Sequence, residues 1–128
     1  MIGRVGIARR GSYGKDMNVI ADICVVPFTG RVSVREEVAR AHRILEETGL
    51  PVLLHGYGTN IEGDYRVIME ALERIHEELH AGGATRISTT IRLGSRTDKV
   101  QSIQDKVAAV LESLAARDEA SRASLGEC

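Results

Sequence analysis

Two segments of the chain carry side chains whose types and spacing could do chemistry. Residues 59–64 (TNIEGD) form a polar run in which a carboxylate, Glu62, directly precedes Gly63. A carboxylate can accept hydrogen bonds from an amino-heterocycle, and a glycine allows a ligand to approach the backbone closely. Residues 76–80 (HEELH) match the H-E-x-x-H pattern of zinc peptidases. The first segment favours a binding site, whereas the second would indicate a metal-dependent enzyme only if the two histidines bound zinc.

The zinc interpretation lacks a third ligand. His76 and His80 share one face of a helix, but no histidine follows residue 80, so the third ligand would have to be a carboxylate or a distant histidine. Ile75 and Leu79 in the same segment belong to the helix's apolar stripe. We therefore interpret the pair as surface histidines beside the core. No catalytic residue and no metal ligand are predicted, and we expect the chain not to be an enzyme.

The elements that must position these residues begin with a strand and a helix. Residues 18–27 are short, rich in Val and Ile and stopped by Pro27, which is typical of a strand. Ser33 opens an S-V-R-E capping box, which predicts a helix over residues 33–48. Gly49 is placed to end that helix.

Strand and helix signals continue through the rest of the chain. Residues 51–58 predict a second strand and residues 59–62 a third, after a tight turn near Gly58. Asp64 is the expected N-cap of the next helix. Residues 85–93 alternate between apolar and polar side chains and predict a fourth strand. Ser102 and Asp105 form a second capping box, which predicts a third helix. The stripe of the second helix comprises Ile68, Ala71, Leu72, Ile75 and Leu79.

The predicted order β-α-β-β-α-β-α indicates an α+β domain. Its first six elements match the ferredoxin-like βαββαβ pattern, in which both helices cover one face of an antiparallel sheet. The extra C-terminal helix could pack on an edge or against a partner chain. We expect a disordered leader over residues 1–16, a folded domain over residues 17–116 and a flexible tail over residues 117–128.

The face of the sheet opposite the helices, here called the open face, is unusually polar. Such a face must be solvated, paired with another chain or used for a ligand. For Glu62, the alternative to a ligand contact is an ion pair with Arg92 across the sheet. Alternation places on this face Asp22, His55, Tyr57, Asn60, Glu62, Ser88, Thr90 and Arg92.

Composition narrows the function classes. The chain has 128 residues, a net charge of −1 and only 3% aromatic residues. Residues 1–16 carry four basic side chains against one acidic, which leaves a mildly acidic body of charge −4 and argues against a nucleic-acid partner. No segment is apolar enough to span a membrane or to act as a secretory signal. Cys24 and Cys128 are expected to be free thiols, which fits the cytoplasm.

The ordered set of motifs resembles the small cytosolic thiamine-binding protein family. The resemblance rests on residues 58–64 (GTNIEGD), on the helix that contains His76-Glu77, and on residues 86–92 (RISTTIR). The end of strand one at Val25-Val26-Pro27 and the late segment 105–107 (DKV) also match. Together these segments extend over about residues 17–115, nearly the whole predicted fold.

This resemblance implies a ferredoxin-like subunit that assembles into dimers or tetramers through its sheets. It also implies binding of thiamine, or of its hydroxymethylpyrimidine part, without turnover and without a further cofactor. The ligand would lie on the open face near a subunit interface. Alternation favours Ser88 and Thr90 over Thr89 as contacts from the last strand. The expected ligand-binding residues are Tyr57, Thr59, Glu62, Gly63, Ser88, Thr89, Thr90 and Arg92.

Two departures from the family pattern bear on the ligand. Tyr57 stands where the family tends to have Met, and its ring could stack on a pyrimidine or thiazolium or simply fill space. Gly94-Ser95-Arg96 stands where the family tends to have Asp-Asp-Arg. The alternative function is a ferredoxin-like regulatory or assembly module that senses another small metabolite.

Overall fold

A computed structural model describes residues 17–126. The chain consists of two compact units, one ending at Arg96 and one starting at Thr97. The first unit contains six of the seven elements, and the second contains one helix. In chain order the elements are β1 (Asn18–Phe28), α1 (Arg35–Glu46), β2 (Val52–His55), β3 (Gly58–Asp64), α2 (Tyr65–Ala81), β4 (Arg86–Ser95) and α3 (Ile103–Gly126).

The first unit is a four-stranded antiparallel sheet with two helices. The strand order is β2-β3-β1-β4, and each neighbouring pair is antiparallel. This is the ferredoxin-like arrangement, so the predicted fold is confirmed. β1 pairs with β3 as far as Ile23, opposite Thr59, and continues against β4 as far as Phe28. Its last five residues therefore have a partner strand on one side only, which is where Pro27 is tolerated inside a strand.

The hydrophobic core lies between α1, α2 and one face of the sheet. Alternate residues of β1, namely Val19, Ala21 and Ile23, are at most 2% exposed and point into it. Ile61 on β3 is fully buried beside them, as the sequence predicts. The five residues of the predicted α2 stripe are all buried, so that pattern is confirmed.

α1 begins later than predicted. Its N-cap is Val34, with no side-chain capping bond, and the helix starts at Arg35. The amide of Val38 donates to the carbonyl of Val34, so the first turn closes one residue after Ser33. Ser33 is therefore outside the N-cap position, and the predicted S-V-R-E capping box is wrong. Gly49, with φ of 78°, follows the helix end as expected.

The β2–β3 turn also differs from prediction. His55 pairs with Gly58, so the turn consists of the two residues between them, Gly56 and Tyr57. A two-residue loop is the shortest common hairpin connection. Tyr57 therefore lies in the turn and not on strand two, and Gly58 is the first residue of β3. β3 also extends to Asp64, which caps α2 as predicted by accepting from the amide of Arg66 at 3.2 Å.

The second unit is the helix α3. The amide of Ser102 donates to the Asp105 carboxylate at 2.9 Å, and the amide of Asp105 donates to the Ser102 hydroxyl at 3.1 Å. This reciprocal pair confirms the predicted capping box. The helix continues to Gly126, past residue 116 where the folded domain is expected to end, because Ala, Leu, Arg and Glu are good helix formers. The division into leader, domain and tail stays a prediction, and residues 1–16 lie outside the described part of the chain.

Replacing Asp105 with Ala is expected to fray the start of α3. Hydrogen bonds from the amide and hydroxyl of Ser102 hold the pKa of Asp105 below its usual value. A lowered pKa means that the cap is complete at neutral pH and is lost as the pH falls through the pKa of the folded state. Circular dichroism of the wild type should show helicity falling at acidic pH. The Asp105→Ala variant should have lower helicity at pH 7, and its helicity should fall less at acidic pH because the cap is already missing. If its helicity fell with pH as in the wild type, the capping role of Asp105 would be contradicted.

Candidate functional site

A cavity of about 250 Å³ opens beside the unpaired end of β1. It lies between α1, the last residues of β1 and the β2–β3 turn. The cavity exists because β3 begins at Gly58, so β1 runs past it without a neighbour on that side. Its lining comprises Ile23, Cys24, Val25, Val26, Val34, Val38, Ala41, His42, Leu45, Leu54, His55, Gly56, Tyr57, Gly58 and Thr59.

The lining is mostly aliphatic, with a hydrogen-bonded polar pair within it. Thr59 is only 5% exposed, and its hydroxyl lies 3.2 Å from Nδ1 of His42 on α1. The other ring nitrogen, Nε2, lies 3.6 Å from the Glu46 carboxylate one turn further along the helix. An apolar cleft with a few placed polar groups is the usual form of a small-molecule site. The hydroxyl and the imidazole can each donate or accept, so they can orient a heterocycle.

Gly58 fixes the distance between the hairpin and β1. A Cβ atom at this position would lie 2.4 Å from the carbonyl oxygen of Ile23 and 3.5 Å from the Cα of Cys24. No side chain fits at that separation. The absence of one therefore allows β3 to start close against β1, and this start places Thr59 under α1.

A second hydrogen-bonded pair lies at the rim of the cavity. His55 Nε2 is 2.5 Å from the carboxylate of Asp22, which belongs to β1 on the open face. The amide of Tyr57 donates to Nδ1 of the same ring at 3.3 Å. Because Nδ1 accepts, the proton is on Nε2, which donates to Asp22. Tyr57 is 89% exposed, at the cavity mouth.

The structure separates the predicted ligand-binding residues. Tyr57 and Thr59 both line the cavity, but Thr59 faces the helices and not the open face. The register places Arg92 opposite Asp22 and Glu62 opposite Ile20, so Glu62 and Arg92 are not cross-strand neighbours. Four of the predicted residues alternate onto the open face and do not line the cavity: Glu62, Ser88, Thr90 and Arg92.

Gly63 and Thr89 have other neighbours. A Cβ at Gly63 would lie 2.6 Å from the side chain of Leu50, and its φ of 150° favours glycine. The space that a Gly63 side chain would enter is therefore filled by Leu50, and close approach of a ligand to Gly63 stays a prediction. The hydroxyl of Thr89 lies 2.8 Å from Nε2 of His76 on α2, which places Thr89 on the helix side.

The two histidines of the H-E-x-x-H segment both make hydrogen bonds within the first unit. His76 contacts Thr89, and Nδ1 of His80 lies 2.7 Å from the carbonyl oxygen of Ala84. Their neighbours Ile75 and Leu79 are buried, as the interpretation of histidines beside a core stripe requires. Within residues 17–126, no group of three or more His, Cys, Asp or Glu side chains is arranged to hold a metal ion.

Sequence reasoning missed His42, the polar residue that reaches the cavity from α1. It follows Ala41 of the apolar stripe, so it lies at the border of the buried face. A histidine in that position is a signal for a partly buried polar contact, but helical spacing alone does not name its partner. Pairing it with Thr59 requires the tertiary packing of α1 on β3.

Comparison with known proteins finds close relatives of this chain. The family model described as thiamine-binding protein matches residues 21–111. A UPF0045 protein from Synechocystis is 48% identical over 96 residues, which cover 75% of this chain and 79% of the relative. A UPF0045 protein from Eremothecium gossypii is 39% identical over 99 residues, which cover 77% of this chain and 94% of the relative.

Solved structures share the fold. A hypothetical protein from Methanocaldococcus jannascii superposes with a TM-score of 0.69 at 26% identity, covering 75% of this chain and 98% of that one. A Thermotoga maritima protein, provisionally described as acting in thiamine biosynthesis or salvage, superposes with a TM-score of 0.63 at 22% identity. It covers 73% of this chain and 98% of that one. In the described residues no helix is long and apolar enough to cross a membrane.

Proposed function

Because the chain belongs to the thiamine-binding protein family, we propose that it binds thiamine or its hydroxymethylpyrimidine part, without turnover, in the cavity between α1 and the β2–β3 hairpin. The observation that carries this proposal is the His42–Thr59 pair within a mostly aliphatic lining. An aminopyrimidine offers ring nitrogens that accept and an amino group that donates. A hydroxyl and an imidazole side by side can satisfy both.

The size of the cavity favours the pyrimidine half of the ligand. Sites for drug-sized ligands have volumes of about 300–1,000 Å³, and this cavity, at about 250 Å³, is smaller. A flat ring can enter between Val38 and Leu54, while the cationic thiazolium of thiamine stays at the mouth. Tyr57 is at that mouth, and its ring face can attract a cation. Replacement of the family's usual Met by Tyr57 would then favour thiamine over the free pyrimidine.

Calorimetric titration with thiamine and with hydroxymethylpyrimidine tests the proposal. Thr59→Val keeps the side-chain shape and removes the hydroxyl, so we expect both ligands to bind about tenfold more weakly. Thr90→Val makes the same chemical change on the open face and is expected to leave the affinity unchanged. Absence of heat at millimolar ligand with folded wild-type protein would refute the proposed function.

The open face is a second candidate location for the same ligand. It carries Glu62 on β3 and Ser88, Thr90 and Arg92 on β4, the two strands on either side of β1, which supply both a carboxylate and a guanidinium. Glu62→Gln separates the two locations, because it removes a charge from the open face without touching the cavity lining. If the ligand lies there, Glu62→Gln and Thr90→Val will weaken binding and Thr59→Val will not.

We also propose that the protein is a homo-oligomer and is located in the cytoplasm, and the open face supports the subunit contact. Val26, Phe28 and Leu53 point to this face and are 43%, 47% and 57% exposed. A second copy of the chain would cover these apolar side chains. A regulatory or assembly module, the alternative function, would use the same contact. Leu53→Lys should shift the mass measured by light scattering toward the monomer. An unchanged mass would place any subunit contact elsewhere.

A further inference from the structure

We propose that His55 is a positioning residue that holds Tyr57 over the mouth of the cavity, with Asp22 fixing the His55 ring. This inference deepens the proposed function and rests on it for its ligand. Two hydrogen bonds carry it: Tyr57 N–H donates to Nδ1 of His55, and Nε2 of His55 donates to Asp22. The imidazole therefore links the turn of the β2–β3 hairpin to β1, two strands away.

The link crosses the strand that lies between its two partners. His55 pairs with Gly58, the first residue of β3. Asp22 pairs with Asn60, two residues further along β3, so the contact is diagonal across three strands. The side chains of His55 and Asp22 are 33% and 40% exposed, so neither belongs to the buried core. Changing them is therefore expected to alter the turn more than the overall stability.

The position of Tyr57 has few other determinants. Tyr57 is 89% exposed, so side-chain packing does not hold it in place. The described turn consists of Gly56 and Tyr57, and Gly56 has open space around it. A flexible turn would lower affinity, because ordering Tyr57 on binding costs conformational entropy. The bond from the Tyr57 amide to His55 reduces that cost by setting the turn before the ligand arrives.

Two substitutions at His55 separate the two bonds. His55→Asn keeps an acceptor near the position of Nδ1, and an asparagine oxygen commonly accepts from the amide two residues on. His55→Gln keeps a donor near the position of Nε2 for Asp22 but has no acceptor suited to the Tyr57 amide. If His55 acts by positioning Tyr57, thiamine should bind about three- to tenfold more weakly to His55→Gln and within about twofold of wild type to His55→Asn.

Hydrogen exchange of the Tyr57 amide gives a readout that does not need a ligand. The exchange should be faster in His55→Gln than in the wild type and nearly unchanged in His55→Asn, at equal global stability by urea unfolding. Equal exchange in all three proteins would overturn the inference, as would equal weakening of thiamine binding by both substitutions. If the wild type binds no thiamine, the proposed function fails, and the exchange rates alone still decide whether His55 sets the turn.

Discussion

Gly58→Ala is expected to destabilise the protein by about 2–4 kcal/mol. The added Cβ would lie 2.4 Å from the carbonyl oxygen of Ile23, and a backbone atom of a central strand cannot move aside as a flexible side chain can. β3 must therefore shift away from β1, which disturbs the buried pair of Ile23 and Thr59 in the register. The free energy of unfolding in urea measures the effect.

Gly56→Ala is the matched control for this substitution. It adds the same methyl group in the same hairpin, two residues earlier, where nothing lies within 4 Å of the new Cβ. We expect it to change the free energy of unfolding by less than about 0.5 kcal/mol. If Gly58→Ala were as well tolerated as Gly56→Ala, that result would contradict the close contact of β3 with β1 at Gly58.

Val38→Trp is expected to abolish ligand binding, with affinity reduced about 100-fold or more. Val38 lies on α1 at the cavity wall and is 37% exposed, so a larger side chain has somewhere to go. The indole would occupy much of a cavity of about 250 Å³ and exclude a pyrimidine ring. Because the added bulk fills a void and does not enter the packed core, the free energy of unfolding should change little.

Arg43→Trp provides the comparison for the blocking experiment. Arg43 lies on the same helix but is exposed and does not line the cavity. Its replacement tests whether an indole added to α1 outside the cavity lowers the affinity for thiamine. Thiamine titrated into both variants should bind to Arg43→Trp with wild-type affinity and not to Val38→Trp. Undiminished binding by folded Val38→Trp would place the ligand outside this cavity.

The sequence predicts the fold well because the apolar pattern is strong. Ile68, Ile75 and Leu79 mark the buried face of α2 at helical spacing, and β4 alternates with period two. The capping signals at Asp64 and Ser102 predict helix starts that the structure confirms. The signal at Ser33 fails because the first turn closes on Val34 instead, so a capping motif displaced by one residue makes no bond.

The candidate site is less predictable because it depends on the offset between two strands. Alternation assigns Glu62 to the open face and Ile61 to the core, but it does not show that β1 extends beyond the end of β3. The cavity arises from that offset, and the offset depends on where the two-residue turn at Gly56 falls. His42 and Thr59 meet only once α1 packs on β3, so neither their contact nor the position of the cavity is encoded in local spacing.

Mapping of amide chemical-shift changes during titration with thiamine tests the central claim most directly. If the ligand binds between α1 and the hairpin, the largest changes will be at Val38, His42 and Tyr57, which line the cavity. Saturation should be reached below millimolar ligand. No change at millimolar thiamine would contradict the proposed function. Changes centred on Thr90 and Arg92 would show binding on the open face and contradict the assignment of the site to the cavity.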